Sequence, residues 1–188
     1  WSRGLGDVYK RQAKTMNIEM IKRATIFQLF GMSPAIFHLS GIIFHLINIV
    51  LVFILAKLLF KEEVAKIATI IFAIHPVNAE AVMWISGNTY AIAATFSFLV
   101  LIPFVIYEQK NNKKYLITSI LLFLLFLVND RGAWPLVVPI VMVAIDQFLF
   151  SDKINIKKLA IGILPFLVMA GVSYYIVVVQ NYSSRMDS

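Results

Sequence analysis

Cysteine is absent from the 188 residues, charge is scarce at 14%, and ten acidic residues stand against seventeen basic ones. The missing thiols exclude a disulfide framework, a Cys-ligated metal centre and a thiol nucleophile. The scarcity of charge, beside 60% hydrophobic residues and a mean hydropathy of +0.83, is incompatible with a solvated globular surface. No polar stretch longer than about a dozen residues separates the apolar runs, so a disordered tail, a coiled coil and a large water-soluble domain are excluded as well. The composition is that of an integral membrane protein whose first partner is the lipid bilayer. In a soluble chain a net charge of +7 would raise nucleic acid as a partner. Here the basic residues fall between apolar runs and report orientation, and no nucleic acid is expected.

Residues 1–12 (WSRGLGDVYKRQ) are polar, lack apolar periodicity and do not start with Met, so they resemble neither a signal peptide nor a translation start. Asp7 to Gln12 resembles the translation of a transposon-type sequencing adaptor. The expectation is a gene fragment carrying a scar at 1–12, with the gene beginning upstream.

A bilayer core needs about 20 apolar residues per helix, with roughly 17 to 25 as the working range. Six runs approach this, at 36–60, 64–85, 89–107, 115–128, 134–150 and 159–179. An all-α polytopic bundle of about six spans follows. Lys57, Lys61 and Lys66 flank the first connection, Lys110, Lys113 and Lys114 the third, and Lys153, Lys157 and Lys158 the fifth. The even connections, Ser86 to Asn88 and Asn129 to Ala133, hold only Arg131. The positive-inside tendency then puts the lysine-rich loops in the cytoplasm, in a bacterial inner membrane on this reading. Residues 13–35, the even loops and the tail at 180–188 fall on the opposite side. Within 13–35, the segment 16–30 is patterned as a short amphipathic helix suited to the interface, with a lead-in loop as the alternative.

Ionisable groups inside a span cost roughly 2.5 to 3.5 kcal/mol at a helix centre, so they face a cavity or a partner. In the first span His38, His45 and Asn48 are spaced by seven and three residues and share one helix face. A metal site there lacks a nearby carboxylate or third histidine, and interhelical hydrogen bonding is the preferred account. The second span is interrupted by His75-Pro76-Val77-Asn78-Ala79-Glu80. Pro76 disturbs the helix, and a kink is expected to bring His75 and Glu80 towards one cavity. Glu80 lies roughly 7.5 Å of helix below the turn at Ser86, so its ionised form needs water, a cation or a basic partner. Trp84 follows as an interface anchor or a substrate contact. The fourth span has 14 uninterrupted apolar residues, short for a core of about 30 Å. Either Asn111 to Lys114 extend it by snorkelling, or Asn129, Asp130 and Arg131 dip below the outer surface. In the second case Asp130 and Arg131 lie near the level of Glu80, and Arg131 offers a forked contact to a phosphate. Asp146 and Asp152 read as interfacial.

The run Phe37-His38-Leu39, His45, Asn48 and then Ile74-His75-Pro76-Val77-Asn78-Ala79-Glu80-Ala81-Val82-Met83-Trp84-Ile85-Ser86-Gly87 resembles the multi-span GT-C glycosyltransferases related to protein O-mannosyltransferases. Within these it is most similar to the tetratricopeptide-containing transmembrane group and its bacterial relatives. The resemblance covers roughly residues 28–175. It implies a GT-C-like fold and transfer of a sugar from a polyprenyl-phosphate donor to a protein or glycan acceptor on the non-cytoplasmic face, with inversion at the anomeric carbon. Glu80 would be an auxiliary catalytic carboxylate and His75 a neighbour shaping the site. Arg131, Asp130, Trp84, Asn88, His45 and Asn48 would contact substrate. No cofactor is assigned, although a divalent cation is one way to neutralise a leaving phosphate. The family commonly has Ser-Lys-Glu where this chain has Asn129-Asp130-Arg131, and an Arg and an acid after Ser-Gly where it has Asn88-Thr89-Tyr90. The family's principal acids lie after a first span expected upstream of this fragment, which would leave the fragment inactive alone. Two other classes fit the residues: a transporter or lipid-handling protein with a His75, Glu80 and Asp130 path, and a structural membrane subunit.

Overall fold

The computed structural model describes residues 18–31, 33–84, 87–129, 134–150 and 161–186, and these are helical with no strand among them. Among the described residues these α-helices follow one another: α1 (Ile18–Phe30), α2 (Pro34–Leu59), α3 (Glu62–Ile74), α4 (Val77–Met83), α5 (Asn88–Lys110), α6 (Lys113–Asn129), α7 (Trp134–Ile145) and α8 (Leu164–Met186). A π-helical turn, Asp146–Phe150, continues α7. The scar expected at 1–12 lies outside the described residues.

Each helix boundary has a local cause. Pro34 opens α2, where a missing N–H costs nothing. Asn111, at φ 48°, closes α5 in the left-handed conformation, with its N–H on the Tyr107 carbonyl at 2.8 Å. Pro76 drives the residue before it out of the helical region, and His75 sits extended at φ −65°, ψ 127°. The second apolar run is therefore two helices, α3 and α4, bent by 56°. The fourth starts among its lysines, since α6 includes Lys113 and Lys114.

By length and composition α2 and α5 can each cross a membrane, and the α3–α4 pair makes a third crossing if it is one broken span. The remaining apolar stretches, Trp134–Phe150 and Leu164–Ile176, are shorter. The chain is a helical membrane protein with two or three such elements among its described residues. The core joins α5, α6, α7 and α8 around phenylalanines. Phe96 stacks on Phe126 at 5.6 Å, and Phe123 meets Phe166 edge-on at 5.2 Å. Phe104, Phe123, Phe126 and Phe166 are fully buried. Such pairs add about 0.5–1.5 kcal/mol each beyond the area they bury. By contrast α2 presents Leu39, Ile42, Ile43, Leu46, Ile47 and Val50 outward, as a surface solvated by lipid tails does.

The ends of the bundle differ. Gln109 Nε2 donates to the Leu58 carbonyl and holds the end of α5 against the end of α2. Lys57, Lys61, Lys110, Lys113 and Lys114 therefore gather at one end. There Glu62 pairs with Lys66 at 2.9 Å and Lys57 at 3.4 Å. The Lys66 hydrogen bond, ahead of the Lys57 charge, holds the exposed Glu62 carboxyl below the usual carboxylate range. The opposite end carries the α3–α4 break and the start of α5. Asp146, read from the sequence as interfacial, is 2% exposed in the π-helical turn and accepts from Gln147 Nε2 at 3.0 Å.

Candidate functional site

The α3–α4 break, the middle of α2 and the first turns of α5 enclose a cavity of about 410 Å³ at the lysine-poor end. His45 and Asn48 come to it from α2, Phe72 from α3, Asn78 and Glu80 from α4, Tyr90 and Ala91 from α5, and Trp134 from the start of α7. Three of the sequence-derived residues, His45, Asn48 and Glu80, thus share one cavity.

The polar groups on its wall divide into committed and uncommitted ones. Asn48, 2% exposed, donates from Nδ2 to the Ala91 carbonyl at 2.9 Å and accepts from the Thr95 hydroxyl at 2.8 Å. Its amide is spent on joining α2 to α5, the interhelical role that a buried Asn takes in a membrane. His45 Nε2 lies 3.1 Å from the Ala73 carbonyl. A carbonyl only accepts, so this contact needs the proton on Nε2, and in the neutral ring Nδ1 is then an acceptor. Asn78 Nδ2 donates to the Phe72 carbonyl, one of the backbone acceptors that the helix break releases. No described residue makes an ion pair or hydrogen bond with the Glu80 carboxylate, the sole charged group among the described lining residues.

His75 and Glu80 are not brought together as the kink was expected to do. Both residues are exposed, but the break puts Glu80 on the cavity lining, while His75 stays outside it and its Nδ1 accepts the Val77 N–H at 3.2 Å. His75 thus caps the first turn of α4 and makes the break rather than lining what the break opens. Trp84 is 62% exposed and outside the lining. Asn88 is 1% exposed, and its Oδ1 has no hydrogen-bond partner. That oxygen points at Gly41, where an added Cβ would lie 2.5 Å from it. Asp130 and Arg131 lie outside the described residues. Among those described, no group of three or more His, Asp and Glu is placed to hold a metal ion.

Sequence reasoning missed Phe72, Asn78, Tyr90 and Trp134 as parts of a site. The two outer aromatics meet edge-to-face at 5.6 Å. Tyr and Trp at span ends are common as interface anchors, so nothing in the sequence set these two apart. The site combines an uncommitted carboxylate, a histidine acceptor and three aromatic walls, which suits a ligand with hydroxyl or cationic groups on an apolar frame. No protein-family model, curated protein or solved structure matches the chain.

Proposed function

We propose that the chain is part of an integral-membrane glycosyltransferase with a six-span, GT-C-like bundle. It moves a sugar from a polyprenyl-phosphate donor to a protein or glycan acceptor on the non-cytoplasmic face of a bacterial inner membrane. The observation that carries this reading is the uncommitted Glu80 carboxylate on the wall of the cavity at the lysine-poor end. The likeness of the run from Ile74 to Gly87 to the GT-C enzymes supports it.

In the transfer step an acceptor hydroxyl oxygen attacks the anomeric carbon, and the bond from that carbon to the phosphate oxygen breaks with its electron pair leaving on the phosphate. The hydroxyl proton must go to a base. Glu80 is the auxiliary carboxylate for that proton, and groups of this kind contribute about 10²- to 10⁴-fold. His45 Nδ1 is an acceptor for a sugar hydroxyl, and Tyr90 and Trp134 supply apolar faces for a pyranose ring. Arg131, with Asp130 beside it, is the phosphate contact in this proposal. The test supplies a radiolabelled polyprenyl-phosphate hexose to membranes from cells expressing the uninterrupted gene. Label entering a non-lipid acceptor supports the reading, and its absence beside a positive control enzyme sinks it.

The broken α3–α4 pair favours one alternative. A discontinuous span with a carboxylate just past its break is how many transporters build a midplane site. That reading predicts substrate-driven proton movement in proteoliposomes, abolished by Glu80→Gln.

A further inference from the structure

The charge and the walls of the cavity restrict what can occupy it. The described lining residues carry one carboxylate and no lysine or arginine, so the charge they present to a ligand is negative. Glu80 is exposed on the cavity lining, so its carboxylate is within reach of a cation that enters from the membrane end. None of the described residues supplies that cation.

The walls are suited to one. Tyr90 and Trp134, both on the lining, meet edge-to-face at 66° with centroids 5.6 Å apart, which makes a corner of two rings. Phe72 adds a third ring from α3, with the His45 ring at 5.8 Å and the Phe98 ring at 6.0 Å. An aromatic corner beside a carboxylate attracts a cationic nitrogen through the negative ring faces and the anion together. The volume of about 410 Å³ leaves room for more than the nitrogen and its substituents.

We propose that the Glu80 cavity binds an ammonium-bearing group, with Glu80 as counter-ion and Tyr90, Trp134 and Phe72 as its aromatic walls. This rests on the reading that the cavity is the ligand site, and not on sugar transfer. The ammonium belongs to a soluble amine or to a lipid headgroup, because the cavity lies at a membrane end where both have access.

The test is equilibrium binding of tritiated choline to the full chain in nanodiscs of phosphatidylglycerol, a lipid without a cationic nitrogen. Competition by unlabelled choline and by 3,3-dimethylbutanol, its uncharged isostere, gives the selectivity. The expected result is saturable binding with the alcohol about tenfold weaker or worse, and loss of most of that preference in Glu80→Gln. Trp134→Leu and Tyr90→Leu each weaken choline severalfold. The Glu80→Gln change is close to isosteric, so its melting temperature should match the parent and keep the comparison valid even if an aromatic variant misfolds. Repeating the titration with half the lipid replaced by phosphatidylethanolamine separates the sources: displacement of choline assigns the site to a headgroup, and none assigns it to a soluble amine. Equal affinity for choline and its isostere, a preference that survives Glu80→Gln, or no saturable binding overturns the proposal. Transfer activity without choline selectivity sinks this inference alone, whereas choline selectivity without transfer sinks the glycosyltransferase reading alone.

Discussion

A methyl group on Gly41 would lie 2.5 Å from Asn88 Oδ1 and 2.7 Å from the Val82 carbonyl oxygen. The amide can rotate away, but the carbonyl belongs to the backbone of α4. Gly41→Ala therefore pushes α2 off the α4–α5 junction and costs about 1–3 kcal/mol, the range for overpacking a filled site. Asn48→Leu should cost less, about 0.6 kcal/mol, as membrane hydrogen bonds average, because Thr95 keeps its own 2.9 Å bond to the Ala91 carbonyl. Thermal melts in one detergent check the order: the glycine variant falls by several degrees and the asparagine variant by clearly less. At this scale the spacing of His45 and Asn48 was legible, since residues three apart share a helix face. The role of Gly41 was not, because only the approach of a second helix makes a missing side chain necessary.

The element that shapes the cavity is the α3–α4 break, and its origin is the peptide before Pro76. Extended backbone at His75 ends α3, the His75 ring caps α4, and Asn78 occupies the Phe72 carbonyl. Pro76→Ala removes the steric bias against a helical His75 and restores an N–H. The expected outcome is a straighter span, with spin labels near the two ends of Glu62–Met83 moving apart by about 4 Å at 1.5 Å of rise per residue. The chain has no cysteine, so pairs of introduced thiols can be labelled without removing native ones. An unchanged distance would put the cause of the bend in packing rather than in proline. Proline made the break legible in sequence. Which polar residue would face inwards was not, because a 56° bend reassigns helix faces that a continuous helix would fix: it sends Glu80 to the wall and leaves His75 outside.

For the molecule as a whole, the apolar runs map in order onto α2, the α3–α4 pair, α5, α6, α7 with its π-helical turn, and α8. That correspondence was legible because hydropathy dictates helices in lipid. The burial of Asp146 was not, since the π-helical turn that carries it has no pattern in the sequence. The proposed sidedness gives a direct expectation. Val77, 73% exposed beside the break, should react as Val77→Cys with an impermeant maleimide in intact cells. Lys61→Cys, at the lysine-rich end, should react only after permeabilisation. The reverse pattern would put the cavity on the cytoplasmic side and end the proposal of external transfer.

The central claim is that Glu80 is a working carboxylate at a sugar-transfer site. Its most direct test compares transfer from a polyprenyl-phosphate hexose by the protein and its Glu80→Gln variant, at matched expression and melting temperature. The account predicts a loss in kcat of about a hundredfold or more, with the variant still folded. Transfer at the parental rate in the variant would contradict it.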